Sequence, residues 1–236
     1  MIPHLTRGVD RATIERVSTN VRSPAQVVGQ RDLLGEVHLQ GSLFGVAEPA
    51  VDASFAGLQR TDLDGTSWLD HVPGWLSGDQ GVFDRLLHEL PWRQRTVTMW
   101  ERRLPEPRLT WWWTPDDGPV PLRILATMRV VLSARYGEAF DSIGCNCYRH
   151  GEDSVAWHGD RHRHTVDNPV VAIASVGARR PLRIRPRGGG RAISFDLGGG
   201  DLFVMGGACQ HDWEHSVPKV RHAEPRISIT YRHGMR

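Results

Sequence analysis

The chain has 236 residues, 39% of them hydrophobic and 24% charged, with 29 basic against 27 acidic residues and a formal net charge of +2. Such a chain can bury one good core or two small ones, as a globular protein does. The charge balance excludes binding of nucleic acid through bulk positive field alone, and no apolar run reaches the length of a membrane span.

Lys219 is the only Lys, so the positive charge is carried by Arg. Arg suits bidentate contacts with carboxylates and phosphates. Cys145, Cys147 and Cys209 cannot all pair within one chain. Cys145 and Cys147 are too close for an ordinary bridge and read as small core residues, so a reducing cytoplasm is expected. The N-terminus lacks the apolar core of a secretory signal.

Residues 1–32 show no sustained period and carry no chemistry. Residues 37–44 read as a strand and 61–65 as a turn. Residues 1–72 are expected to form a partly irregular N-terminal extension. Asp62, Asp64, Asp70 and His71 lie close in sequence, and a solvated loop is favoured over a metal site there. Ser77-Gly-Asp-Gln80 fits a capping box, Ser at N-cap and Gln at N3. The helix it opens runs to about residue 90, with Val82, Phe83, Leu86, Leu87 and Leu90 at helical spacing.

Pro91 stops that helix. Residues 92–100 read as a strand with Arg93 and Arg95 on one face. Residues 109–114 read as a second strand, which pairs with the first across the Pro105–Pro107 loop. Arg93, Arg95, Arg102, Arg103 and Arg108 interleave here with Trp92, Trp100, Trp111, Trp112 and Trp113. Arg neutralises phosphate and flat rings stack on bases, which suits a single-stranded nucleic acid. For any one Trp, a place in the core is the plainer reading. Trp111 and Trp113 share a face that Trp112 opposes.

Leu122, Leu125, Met128, Val131 and Leu132 make an apolar stripe, and Gly137 follows as a stop, so 122–136 is a helix. From residue 139 the pattern turns to strands. Those at 169–176, 182–187, 191–196, 201–205, 213–216 and 226–231 are short and separated by Gly, Pro or Asn, as in a sandwich or jelly roll.

The densest chemistry lies in 146–160. Side chains at i and i+2 of an extended chain point the same way. Asn146 and Tyr148 therefore share one face, and Ile143, Cys145 and Cys147 fill the other. His158 and Asp160 share a face of the next extended piece. An imidazole beside a carboxylate is two thirds of a facial triad for non-haem iron(II). On chemistry alone, His211 or His215 completes it. His162 and His164 crowd the first pair and mimic a His-rich zinc site, but zinc usually takes more His or Cys ligands. On the last strand Arg226, Ser228, Thr230 and Arg232 share a face, with Ile227, Ile229 and Tyr231 opposite. The two Arg backbones are roughly 20 Å apart at ~3.3 Å per residue, so both reach one small diacid only by leaning toward each other.

Taken together, Asn146-x-Tyr148, His158-x-Asp160, His215 ahead of Ser216-Val-Pro218, and Arg226-x-Ser228-x-Thr230-x-Arg232 resemble the AlkB family. Those proteins are iron(II)- and 2-oxoglutarate-dependent dioxygenases that dealkylate nucleic-acid bases. The similarity covers 73–233 and is densest in 90–98, 106–113, 145–160 and 206–232, where it looks closest to members that prefer single strands. It implies a mainly β (α+β) fold: a double-stranded β-helix, or cupin-like jelly roll, with flanking helices and an N-terminal substrate lid. The dioxygenase domain would span 73–236, with helices and a nucleotide-recognition lid in 73–136 and the jelly-roll core in 137–236.

The resemblance selects His215 as the third ligand, so that His158, Asp160 and His215 hold catalytic Fe(II). It implies 2-oxoglutarate on Asn146, Tyr148, Arg226, Ser228, Thr230 and Arg232, with Arg226 on the far carboxylate and Arg232 closing the metal end. O2 is the other cosubstrate. The implied reaction is oxidative demethylation of N-alkylated bases, of 1-methyladenine or 3-methylcytosine type, in single-stranded DNA or RNA during repair of alkylation damage. The target base leaves the stack to reach the iron. A monomer free of membranes is expected, with Trp113, Arg95 and His162 against the substrate.

Two departures bear on substrate. His162 stands where many members have a carboxylate two residues after the metal Asp. Residues 114–121 lack the paired aromatics that often follow the second lid strand. The alternatives are the same iron chemistry on a modified tRNA base or protein side chain, and a nucleic-acid-binding jelly roll without catalysis. The intact ligand set argues against the last.

Overall fold

A computed structural model describes residues 48–99, 102–160 and 166–235. The strand expected at 37–44 lies outside the described residues. The core is two antiparallel sheets. The larger runs in the order β2 (Gln59–Asp62), β3 (Ser67–Val72), β13 (Leu202–Gly207), β10 (Val171–Gly177), β15 (Arg226–Arg232), β8 (Ser142–Tyr148), β7 (Leu109–Trp113). The smaller is β12 (Ile193–Leu197), β11 (Arg180–Pro186), β14 (Trp213–Val217), β9 (Val155–His158).

Period-two alternation sorts each strand's side chains between two environments. On the larger sheet Ile143, Cys145, Cys147, Ile227, Ile229 and Tyr231 turn to one side and join the main core. The helices Asp79–Glu89 and Arg123–Tyr136 pack there. Val82, Phe83, Leu86 and Leu87 are the buried stripe of the first, each contributing roughly 1.5–3 kcal/mol by leaving water. On the opposite side Leu69, Val171, Ile173, Phe203 and Met205 meet Leu182, Ile184 and Leu197 of the smaller sheet. Two sheets closed on each other in this way form the expected jelly roll. The apolar filling leaves a cavity between them, lined by His158, Asp160, His215, Asn146 and Arg226 on one hand and by Ile173, Leu182 and Val217 on the other.

The helix Arg123–Tyr136 ends at Gly137, which takes the left-handed conformation at φ 72° as a C-cap. Other expectations need correction. Residues 59–62 and 67–72, assigned to an extension, are instead strands of the larger sheet, where β3 pairs with β13 over six residue pairs. Buried Leu69 and Val72 explain this: the segment carries core residues, which an irregular extension would not. Asp64 accepts the backbone N–H groups of Thr66 and Ser67 and the Trp213 indole N–H, so it shapes a turn. Asp70 is buried under Arg60 and Tyr136.

Ser77 does not cap the first helix. Its hydroxyl bonds the Ala50 carbonyl, and Gly78 at φ 69° is the N-cap. The lid strands also pair differently. β5 (Thr96–Met99) pairs with β6 (Arg102–Pro105), while β7 joins the larger sheet through β8. Among the described residues, only a bridge between Arg93 and Thr110 connects the expected partners. Pro105 and Pro107 do not span a hairpin loop; they end β6 and precede β7.

Candidate active site

His158 closes β9, and His215 lies opposite it on β14. Their ring centroids are 4.2 Å apart. Asp160 follows two residues after His158. One ligand atom from each of the three falls within 4.8 Å of the others, and no second cluster of this kind exists among the described residues. His158 Nδ1 is 2.8 Å from the Ala156 carbonyl. A carbonyl only accepts, so Nδ1 carries the proton and Nε2 is left for a metal. Asp160 Oδ1 accepts from Arg232 Nη2 at 3.0 Å, while Oδ2 is buried without a partner. Two imidazoles and a carboxylate with a buried spare oxygen fit iron(II). His211, the alternative ligand, points elsewhere and bonds the Asp167 carbonyl at 2.9 Å.

Burial alone would raise the Asp160 carboxyl pKa. Arg232, His215 and His158 outweigh it and hold the group well below the usual carboxylate range. Burial and the neighbouring His158 push His215 down to about 3, against the pull of Asp160. The unfolded chain binds this proton at about 6.5, so below that pH it takes up a proton that the folded one refuses. Metal-free protein should therefore keep its stability above pH 6.5 and lose up to about 1.4 kcal/mol per pH unit below it. Thermal melts of metal-free wild type and His215→Gln between pH 7 and pH 5 check this. The wild-type midpoint should fall more steeply; parallel slopes would contradict it.

The 2-oxoglutarate candidates line the same cavity, of about 930 Å³, as the triad. Arg226 is fully buried at its inner end. Its Nη2 donates to Ser175 Oγ at 2.6 Å, but Nε and Nη1 have no partner. Burial pulls its pKa down to about 10. A buried cation with unpaired N–H groups fits a carboxylate, which would receive the charge and the hydrogen bonds together. Tyr148 lies beneath Arg226, 5.5 Å from guanidinium carbon to ring centroid. Asn146 Nδ2 donates to Ser228 Oγ at 3.5 Å. Thr230 separates Ser228 from Arg232 along the cavity face of β15.

Two residues here, Gln210 and Arg180, gave no sequence signal, and a third, Arg108, had been read only as part of the Arg and Trp cluster. Gln210, on the short helix Cys209–Asp212, is 3% exposed. Its Oε1 accepts the Asp160 backbone N–H at 2.9 Å and so fixes the loop that carries the candidate metal carboxylate. Arg180 is fully buried behind Tyr148 and donates to the His150, Asp153 and Pro218 carbonyls. Arg108 Nε donates to Asn146 Oδ1 at 3.1 Å. That bond fixes which way the Asn146 amide points, with its NH2 toward the site. Sequence proximity signals none of these: the pairs are 38 residues apart for Arg108 and Asn146 and 50 for Gln210 and Asp160.

The substrate candidates divide. Arg95 is exposed at the cavity rim. His162 lies outside the described residues. Trp113 is only 4% exposed, packs in the main core and donates its indole N–H to the Gly118 carbonyl. It borders the cavity as well, but almost all of its surface is taken up by the core. The exposed member of the trio is Trp112, at 45%.

Residues 118–232 match the family described as the 2OG-Fe(II) oxygenase superfamily. Over 190 residues the chain is 34% identical to alpha-ketoglutarate-dependent dioxygenase alkB homolog 3 of Bos taurus, an alignment covering 71% of this chain and 66% of that protein. The Homo sapiens alkB homolog 3 is 32% identical over the same length, covering 71% and 66%. DNA oxidative demethylase ALKBH2 of Arabidopsis thaliana is 29% identical over 232 residues, covering 79% and 73%. The chain spans just under two thirds, 64–66%, of the length of the alkB homolog 3 relatives.

Proposed function

Because the chain belongs to the AlkB family of the 2OG-Fe(II) oxygenase superfamily, we propose that it is an iron(II)- and 2-oxoglutarate-dependent dioxygenase that demethylates N-alkylated bases in single-stranded DNA or RNA. Bases of the 1-methyladenine and 3-methylcytosine type are the proposed targets. One observation carries the reading: a His-Asp-His triad within 4.8 Å shares a cavity with a buried Arg226 whose Nε and Nη1 have no partner. Metal and diacid sites so close together suit a cosubstrate that binds both.

His158, Asp160 and His215 would hold the iron, and Arg226, Asn146 and Tyr148 the cosubstrate. When bound, the two supply oxidation of an N-methyl group by O2, after which the methyl carbon leaves as formaldehyde. The protein's own part is placement. The Ala156 carbonyl and Gln210 fix the orientation of His158 and Asp160. Arg232 keeps Asp160 ionised. Arg108 holds the Asn146 carbonyl oxygen and so leaves the amide NH2 toward Ser228, where it would be available to the cosubstrate. Ile173, Leu182 and Val217 give the cavity an apolar wall that limits water around these charges. The exposed Arg93, Arg95 and Arg103 stand on the lid side, where the phosphates of a strand would pass.

The experiment is anaerobic loading with iron(II) and 2-oxoglutarate, followed by O2 and a panel of methylated oligonucleotides read by mass spectrometry. The panel pairs DNA with RNA and single with double strands. Loss of one methylene unit, with formaldehyde and succinate in equal amounts, is expected from single strands. Succinate without loss from any oligonucleotide would move the chemistry to another class of substrate.

A further inference from the structure

This inference rests on the metal-binding reading above and concerns what keeps the two halves of the triad together. His158 and Asp160 belong to the end of β9 and the loop after it, while His215 belongs to β14. One segment, 210–215, serves both halves. It carries His215, and its Gln210 takes the Asp160 backbone N–H on the side-chain oxygen. Gly159, between the two ligands of the first half, lies against the same segment. A Cβ there would sit 2.8 Å from the Gln210 carbonyl oxygen, 3.4 Å from that of Trp213 and 2.7 Å from Arg187 Nη2. Real side chains do not approach a backbone so closely, so the loop packs here because residue 159 has none. Gly159 is not among the positive-φ residues, so close approach rather than backbone conformation asks for glycine.

Arg187, the residue after β11, closes the arrangement from a third side. Its backbone N–H donates to the Asp212 carbonyl at 2.7 Å, its Nε to the His211 carbonyl, and its Nη2 to the Gln210 carbonyl at 2.9 Å. These are three consecutive carbonyls of the helix Cys209–Asp212. A helix end leaves such carbonyls without internal partners, and an Arg side chain is suited to collect them. The residue is exposed, yet its backbone N–H, Nε and Nη2 are all spent on one short piece of main chain. That piece is the one against which Gly159 is pressed.

We propose that Arg187 is a positioning residue for the metal centre. It grips the 210–212 carbonyls and, with Gly159 against its Nη2, sets the spacing between the loop that carries His158 and Asp160 and the strand that carries His215. A triad split between two segments holds a metal tightly only while those segments keep one spacing, and groups outside the ligand set supply that constraint. Arg187 differs in this from Arg232. Arg232 acts on the Asp160 carboxylate itself, whereas Arg187 acts on the main chain and has no need to meet the metal or its ligands.

The test is the manganese(II) affinity of the full chain, titrated by calorimetry without 2-oxoglutarate or nucleic acid. The temperature is one at which circular dichroism shows each variant folded, and metal-free melting midpoints are recorded alongside. Gly159→Ala keeps every ligand side chain and should weaken binding about tenfold or more. Arg187→Ala removes the grip from an exposed position and should weaken binding several-fold. In the double variant the two losses should not multiply. Its affinity should stay within about twofold of that of Gly159→Ala alone, because the first change already breaks what the second removes. Unchanged manganese(II) affinity in Arg187→Ala, even with a lowered midpoint, would make Arg187 a merely structural contact and overturns the proposal. Losses that multiply in the double variant overturn it too. Wild type that binds no manganese(II) would defeat the dioxygenase reading itself, and this proposal with it.

Discussion

Asp160→Ala should abolish iron(II) binding and turnover in a protein that still folds. Removing the carboxylate leaves two neutral imidazoles, a weak set for a hard divalent ion. It also strips Arg232 of its partner at 3.0 Å, leaving a guanidinium directed at the metal position. The loss is thus greater than one ligand in three, because an attractive charge is replaced by an unpaired repulsive one. Anaerobic iron titration followed by calorimetry measures it. His211→Ala is the control and should bind iron as wild type does, since its ring is engaged with Asp167 rather than the triad. Iron lost in His211→Ala and retained in His215→Ala would reverse the ligand assignment.

Arg226→Ala should weaken 2-oxoglutarate binding by on the order of 2–5 kcal/mol, the cost of removing one partner from a buried charged pair. The argument is stronger here than for an average Arg. Folding has already taken this guanidinium out of water, leaving Nε and Nη1 without partners. The cosubstrate therefore restores hydrogen bonds and meets a charge whose desolvation it does not have to bear. Arg226→Lys should recover only part of the loss, because an ammonium cannot reproduce the planar fork. Equilibrium binding of 2-oxoglutarate in the presence of manganese(II) checks both variants, and unchanged affinity in Arg226→Ala would defeat the assignment.

The parts of the site that lie on strands were legible in the sequence. Period-two spacing put Asn146 with Tyr148 and Arg226 with Arg232 on the cavity face, where the register pairs Arg226 with Tyr148 and Ser228 with Asn146. The triad was legible because its first two members are two residues apart, although choosing His215 over His211 needed the family resemblance. Gln210, Arg108 and Arg180 were not legible, since each acts through a contact with a distant backbone or amide group. The trio Trp111–Trp113 shows where alternation stops being informative. It separates the faces but does not say which is the core, and that is decided by the helix Arg123–Tyr136 and the strands around it. Ser77 had the composition of a cap but was claimed by the Ala50 carbonyl across β1 (Ala50–Val51) and β4 (Leu76–Ser77).

The pairing of β3 with β13 has a practical corollary. A shortened chain beginning at residue 73 would keep every candidate metal and 2-oxoglutarate residue. It would also lay bare the backbone donors and acceptors of β13 along a strand whose Leu202, Phe203, Val204 and Met205 are all fully buried in the intact protein. A long apolar strand with a free margin is a template for another copy, and aggregation is the usual result. Among the described residues the sheet ends instead on Gln59, Arg60, Thr61 and Asp62, four exposed polar residues that make a poor template. Residues 59–72 thus cover the β13 margin, and a trimmed version meant for crystallisation or assay is better started ahead of them.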